Sequence, residues 1–334
     1  MSAKKVVVLG TGGTIAGRAS SAADNLGYRA GELGVDALLA DLPWLPARLQ
    51  GAHLVSEQVA QLDSKDMDWD TWGRLLQACE RHLADADVFG LVITHGTDTL
   101  EETAYFLHLA LSPVLQRKPV VLTCAMRPST ALASDGPQNV LDAISVVLDP
   151  QGAGVLVACA GAVHAAEFVH KAHPYRVDAF DSGEAGPRGW VEEGRVRWAS
   201  LPAGRFGDAE VPGAAGCCAS AAPLVPLTPA PRVELLMNYA GAGGVVVDAL
   251  CAQGEAASAL RGLVVAGTGN GSVNAGMLES LQRAAQQGVA VVLASRCEKG
   301  GVVPSSRVPE GWRVYPGLSA IKSRVRLMLE LLAA

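Results

Sequence analysis

Two short glycine-threonine segments constrain this chain more than any other feature: Thr11-Gly12-Gly13-Thr14-Ile15-Ala16-Gly17 and Thr94-His95-Gly96-Thr97-Asp98-Thr99. Each follows an apolar run, residues 6–9 and 88–93, that reads as a buried parallel strand. Each places a threonine directly after glycine, where the backbone turns sharply and leaves amides exposed. Open α/β sheets bind ligands outside the carboxyl ends of their strands, so hydroxyls at two such ends predict a catalytic cleft. The second segment continues into Thr99-Leu100-Glu101-Glu102, a capping-box pattern for a helix whose core face carries Leu100, Ala104, Leu107 and Leu111.

Apolar runs alternate with helical patterns through the first two-thirds of the chain. Further strands are expected at 119–124 and 155–159, with helices at 67–84, 99–111 and 139–148. A Pro/Gly/Ala-rich stretch then interrupts the pattern, and a shorter alternation follows. It has strands near 233–237, 262–266 and 289–294, a helix over 274–287 behind Gly267-Thr268-Gly269-Asn270-Gly271, and a terminal helix over 319–332. The expected fold class is α/β, with two doubly wound domains whose sheets are largely parallel. The larger N-terminal domain spans 1–200, a linker 201–231, and the smaller C-terminal domain 232–334.

At 334 residues and 49% hydrophobic composition the chain can bury a large core. A net charge of −6 without a basic cluster argues against nucleic acid as a partner. The seven cysteines are scattered, with no C-x-x-C, which reads as reduced thiols and no structural zinc. His170 and His173 stand three apart but lack further ligands for a metal. The apolar run after Lys4-Lys5 breaks at Gly10, too short for a signal segment, and no stretch approaches the ~20 residues of a membrane span. The expected location is cytoplasmic, with no membrane partner.

Thr14 reads either as a helix cap or as a nucleophile, which would need a base and an oxyanion site. Gly10-x-Gly12 has the start of a dinucleotide loop, but Ile15 stands where the last glycine belongs, which makes a dehydrogenase a remote reading. Asp98 is either a favourable charge at a helix start or an anchor for a substrate ammonium, and Thr97 beside it could relay a proton. His95 fits a turn residue or a base. Lys171, beyond the fourth strand, is a surface lysine or a desolvated base. Ser64 reads as an N-cap of the helix at Met67 or as a hydroxyl presented to a carboxylate.

Taken together, these motifs resemble the bacterial-type L-asparaginases, amidohydrolases that convert L-asparagine to L-aspartate and ammonia. The resemblance runs in order through the two opening segments, Asp63-Ser64-Lys65-Asp66-Met67, Ala125-Met126-Arg127-Pro128-Ser129-Thr130, Asp135-Gly136-Pro137, Asn238-Tyr239-Ala240 and Gly269-Asn270-Gly271. It implies Thr14 as nucleophile with Tyr28 beside it, and Thr97, Asp98 and Lys171 as a second set across the substrate. Thr14 would form a β-aspartyl ester that water then opens, with Thr97 and Lys171 managing the proton. The motifs leave open which threonine acts first. The resemblance further implies Gly13 as a substrate-binding position, Ser64 on the α-carboxylate, Asp98 on the α-ammonium, and Ala125 backbone groups near the leaving amide. Asn270 would reach a neighbouring subunit's site in a homotetramer built as a dimer of dimers. No metal or organic cofactor is implied. A glutaminase-asparaginase, an amidase of shifted preference and a non-catalytic amino-acid-binding protein are the alternatives.

Two departures from the family pattern stand out. Lys65 occupies a position where many secreted members carry glutamine, and its ammonium would either strengthen carboxylate binding or swing to solvent. The acid that members supply from the neighbouring C-terminal domain has no motif-matched counterpart after Ser295-Arg296-Cys297. Glu298 and Glu310 are the acids in that part of the chain.

Overall fold

The apolar runs of the N-terminal half pair into one sheet. The computed structural model describes residues 4–42, 44–199, 229–253 and 259–333, and contacts divide the chain into two units, Met1–Ala209 and Glu210–Ala334. In the first unit the strands are β1 (Lys5–Gly12), β2 (His53–Leu62), β3 (Val88–Thr94), β4 (Val120–Thr123), β5 (Val155–Cys159), β6 (Ala162–Ala165), β7 (His170–Lys171), β8 (Phe180–Asp181), β9 (Gly189–Glu192) and β10 (Arg195–Trp198). The helices are α1 (Val35–Ala40), α2 (Leu45–Leu49), α3 (Trp69–Ala84), α4 (Leu100–Ala110) and α5 (Gly136–Leu148).

The main sheet has the order β10-β9-β6-β5-β4-β3-β1-β2, with β7 and β8 forming a separate pair. From β2 to β5 every pairing is parallel; β6, β9 and β10 extend the sheet antiparallel. Val6, Val7, Val8 and Leu9 of β1 are fully buried, as continuous apolar composition demands of a strand covered on both faces. The chain leaves β1 for β2 on one side and returns to β3 on the other. The strand order therefore reverses between β1 and β3, the point where such sheets open a crevice at their carboxyl ends.

Three helix starts differ from the sequence expectation. Ser64–Asp66 form a single 3-10 turn, and the N-cap of α3 is Asp68, whose carboxylate accepts the Thr71 N–H at 2.8 Å. Thr99 is the N-cap residue of α4 without a capping-box bond, because its hydroxyl donates instead to Ser64 O at 2.7 Å. The tertiary bond outcompetes the local one. Helix α5 opens three residues early at Gly136, with Pro137 in the first turn, where a missing N–H costs nothing.

The second unit holds a four-stranded parallel sheet of order β11-β12-β13-β14, built from Arg232–Met237, Leu260–Gly267, Ala290–Ser295 and Arg313–Val314. Its helices are α6 (Val245–Ala252), α7 (Ala275–Gln286) and α8 (Ala320–Ala333). The linker expected over 201–231 lies almost entirely outside the described residues. Among the described residues no helix is long and apolar enough to cross a membrane.

Candidate active site

The turns after β1 and β3 touch through their glycines. Gly13, at φ 81°, lies so close to Gly96 that a Cβ there would stand 2.3 Å from Gly96 Cα. A Cβ on Gly96 would meet Ser64 Oγ at 2.4 Å. Three sequence-distant segments, ending β1, β2 and β3, thus converge with no room for a side chain between them. The N–H of Gly13 is donated to Leu62 O at 2.8 Å, so what the glycine contributes in this structure is close approach. Buried Thr11 reinforces the junction, donating from Oγ1 to Thr94 O at 2.9 Å.

This junction holds both threonines. Thr14 is buried in the short turn Thr14–Ala16, and its Oγ1 shares a 2.6 Å hydrogen bond with the Tyr28 hydroxyl. Thr97, also buried, receives a 2.8 Å hydrogen bond on Oγ1 from Lys171 Nζ, which is 2.6 Å from Asp98 Oδ1 as well. The lysine side chain is only 16% exposed, whereas that of Asp98 is 53% exposed. An ammonium so placed is a donor, anchored on one carboxylate oxygen and aimed at a hydroxyl. Ser64 is buried and its Oγ accepts the Asp98 N–H at 3.2 Å. Ala125 is fully buried beyond β4, and the first turn of α5 packs on it and on Ile15, since a Cβ at Gly136 would lie within 3.4 Å of both side chains.

Two expected residues have their polar groups engaged with other partners. Lys65 points its ammonium at the carboxylates of its own turn, Asp63 at 2.7 Å and Asp66 at 3.0 Å, with 61% of its side chain exposed. Those bonds, Asp63 first, raise its pKa above the ordinary lysine value. Asn270 lies in the second unit, where its side chain donates to Val303 O at 3.0 Å and accepts Val303 N–H at 2.7 Å. Glu298 and Glu310 are both exposed there.

His95 is fully buried and neutral. Its Nδ1 faces Gly96 O at 2.7 Å, and a carbonyl only accepts, so the proton is on Nδ1. Nε2 then accepts from the Thr103 hydroxyl at 2.9 Å, and Thr103 accepts from Trp72 Nε1 at 2.8 Å. Burial pushes the imidazole pKa down to about 4. Of the two sequence readings, the turn residue fits this geometry, with every polar atom of the ring occupied.

The supporting contacts of several residues were not readable from the sequence, although Asp135 and Glu101 themselves stand in its motifs. Buried Asn139 donates to Cys124 O at 2.9 Å and to Asp135 Oδ2 at 3.3 Å, and accepts Ala160 N–H at 2.9 Å, tying the ends of β4 and β5 together. Asp135 accepts the Met126 and Arg127 N–H groups, both at 2.9 Å. Glu101 accepts the backbone N–H of Lys171 at 3.4 Å. The spacing of Asp135-Gly136-Pro137 before Asn139 was the available signal for the first pair; the others depend on contacts with no local signature. The Cys124 and Cys159 thiols lie 3.0 Å apart, and burial, followed by their mutual bond, drives the Cys124 pKa well upward. Among the described residues no group of three His, Cys, Asp or Glu side chains is arranged to hold a metal.

Comparison with known proteins gives this arrangement a lineage. The family described as "Asparaginase, N-terminal" matches residues 5–203, and the "Glutaminase/Asparaginase C-terminal domain" matches 232–333. A glutaminase-asparaginase of Pseudomonas fluorescens biotype A is 37% identical, over 98% of this chain and 86% of the relative. L-asparaginase 2 of Escherichia coli K12 is 35% identical, over 98% and 88%. The crystal structure of a probable cytoplasmic L-asparaginase from Campylobacter jejuni superimposes with a TM-score of 0.87 at 34% identity, covering 99% of this chain and 96% of that one. Matched in both halves and along nearly its whole length, the chain belongs to the asparaginase family.

Proposed function

We propose that this protein hydrolyses L-asparagine to L-aspartate and ammonia through a β-aspartyl ester on Thr14. The observation that carries the reading is the pairing of two buried threonine hydroxyls, each with its own proton-bearing partner, at turns that touch through Gly13 and Gly96. Thr14 Oγ1 attacks the side-chain amide carbon, with the Tyr28 oxygen at 2.6 Å placed to take up or relay its proton. The C–N bond breaks as the nitrogen gains a proton and leaves as ammonia. Water then attacks the ester carbon, the C–O bond to Thr14 breaks, and the hydroxyl is restored.

The second set manages charge and protons across the substrate. Because Lys171 donates to Thr97, it favours negative charge developing on that oxygen and can resupply a proton handed from Thr97 to the leaving nitrogen. Asp98 keeps a half-exposed carboxylate for the substrate α-ammonium. Ser64 already accepts from the Asp98 N–H, which leaves its hydroxyl hydrogen for the α-carboxylate. Backbone groups at Ala125 face the leaving amide. The scheme draws only on side chains, backbone and water.

A glutaminase-asparaginase is the second reading, favoured by the name of the Pseudomonas relative. Self-association is supported by the apolar exposure of Leu235 and Met237 of β11 and of Tyr239 just beyond it; in a dimer of dimers Asn270, here bonded to Val303, would reach a neighbouring subunit's site. A cytoplasmic location is supported by the name of the Campylobacter jejuni relative, a probable cytoplasmic L-asparaginase. The test is ammonia release from L-asparagine and L-glutamine by the wild type and by Thr14→Ala. Release from asparagine that vanishes in the variant supports the assignment. Tight asparagine binding with no ammonia from either protein would replace it with the amino-acid-binding reading.

A further inference from the structure

Lys171 is carried by very little secondary structure. Strands β7 and β8 are two residues each, paired His170 to Asp181 and Lys171 to Phe180. Above that pair Ala172 and His173 both donate their N–H groups to Ala179 O, at 2.7 and 3.1 Å. The bond from the Lys171 N–H to Glu101 is long, at 3.4 Å. An isolated two-stranded ribbon of this length has too few bonds to hold itself. Something else must fix the hairpin if its lysine is to stay within hydrogen-bond reach of Thr97.

The tip of the hairpin supplies it. Residues 174–178 are exposed, yet two side-chain contacts organise them, the Arg176–Asp178 ion pair and a cap from His173. His173 Nδ1 accepts the backbone N–H groups of both Tyr175 and Arg176, each at 3.0 Å, so this nitrogen carries no hydrogen. Pro174 lies between, with φ fixed and no N–H of its own to satisfy. The turn so capped delivers Tyr175 to Arg127 of the β4–α5 loop. The Arg127 guanidinium stands 4.2 Å above the Tyr175 ring, and its Nη1 donates to Tyr175 O at 2.8 Å. Arg127 is itself held, its backbone N–H bound by Asp135 at 2.9 Å. The β4–α5 loop therefore grips the far end of the element whose near end presents the lysine.

We propose that His173 is a positioning residue for Lys171, acting by capping the 174–176 turn that seats Tyr175 against Arg127. The histidine touches neither substrate nor reacting atoms. Its Nδ1 is placed along the side chain as Asn Oδ1 would be, three bonds from Cα, so asparagine can reproduce the cap as an Asx turn and alanine cannot. The inference rests on the proposed asparaginase reading, in which Lys171 serves the chemistry.

The experiment is steady-state kinetics on L-asparagine for His173→Ala, His173→Asn, Arg127→Met and the Ala/Met double variant, with Thr14→Ala alongside. His173→Ala is expected to lower kcat about tenfold while KM stays within about twofold, the signature of a misplaced group that acts in the transition state. His173→Asn is expected to restore kcat to within about twofold of wild type. Arg127→Met should lower kcat similarly, and the double variant should be no worse than the poorer single, because both cut the same path. Wild-type kcat in His173→Ala, failure of asparagine to rescue, or multiplied losses in the double variant would each overturn the proposal. A raised KM at unchanged kcat would do so too, since it would place His173 on the substrate. If the wild type itself releases no ammonia from L-asparagine, the asparaginase reading fails first, and if Thr14→Ala retains turnover, only the Thr14 nucleophile role fails; if the wild type is active and Thr14→Ala dead while His173→Ala is unimpaired, only the positioning role fails.

Discussion

Replacing Thr103 by valine tests whether the buried chain from Trp72 through Thr103 to His95 holds the turn that carries Thr97. Valine keeps the shape of threonine and removes only the hydroxyl. That hydroxyl accepts from Trp72 Nε1 at 2.8 Å and donates to His95 Nε2 at 2.9 Å, and Thr103 and His95 are both fully buried. Its loss strands a donor and an acceptor away from water, each costing about 1–3 kcal/mol, so together about 2–6 kcal/mol. Thr103→Ser keeps both bonds and gives up one methyl group, worth about 1 kcal/mol. The assay is urea unfolding at pH 7.5 followed by tryptophan fluorescence, which reports mainly on the first unit because Trp44, Trp69, Trp72, Trp190 and Trp198 lie there and only Trp312 in the second. If valine proves no more than about 1 kcal/mol worse than serine, the chain does not hold His95 and the reasoning fails.

Other substitutions probe the same junction. Gly13→Ala must push a Cβ into Gly96 at a positive φ, so kcat/KM should fall roughly 100-fold or more by separation of the two threonine turns; near-normal turnover would mean that the turns need not touch. Lys65→Gln should change KM for asparagine by less than about threefold, because the ammonium is engaged by Asp63 and Asp66, and a tenfold rise at constant kcat would instead place it on the substrate. Burial lowers the pKa of His95 and of His164 from 6.5 to about 4. The unfolded chain then binds protons that the folded one refuses, so stability is complete above pH 6.5 and is lost as pH falls towards 4, on the order of 3 kcal/mol for each ring. A Tm unchanged between pH 7 and 4.5 would contradict both burial assignments.

Strands β1, β3, β4 and β5 were legible because strands covered on both faces are continuously apolar, and β12 and β13 repeat that signal; β11, a sheet edge with Leu235 and Met237 exposed, was legible from its short apolar run alone. Strand β2 was not, since as the sheet edge it mixes His53, Glu57, Gln58 and Gln61 with half-buried apolar residues. The antiparallel strands β6, β9 and β10 are four residues each, too short for a period to register. Thr14, Thr97 and Asp98 stood out because glycine beside a strand end is a local pattern. Tyr28 carries no such pattern, and only resemblance to a family pointed to it; Lys171 could be read from the sequence equally as a surface lysine or a desolvated base, and the resemblance favoured the second. Ser64 reads from the sequence as a cap or as a hydroxyl presented to a carboxylate; besides the local Met67 N–H it bonds Asp98 and Thr99, more than thirty positions away, where no local rule reaches. Glu101, Thr103 and Arg127 act through contacts of the same long-range kind, whereas His173 caps its own turn, two and three residues on, with a histidine in place of the usual capping residues.

The meeting of β1 with β3 also bears on how the protein is made. The Thr11–Thr94 bond closes over 83 positions, and the bond from Lys171 to Thr97 over a further 74. Helices α3 and α4 can form from local contacts, but the threonines have no partners until these long loops shut, and loop closure of this length is slow. Activity should therefore return late in refolding, well after helical circular dichroism, which makes catalysis a reporter of topology being completed.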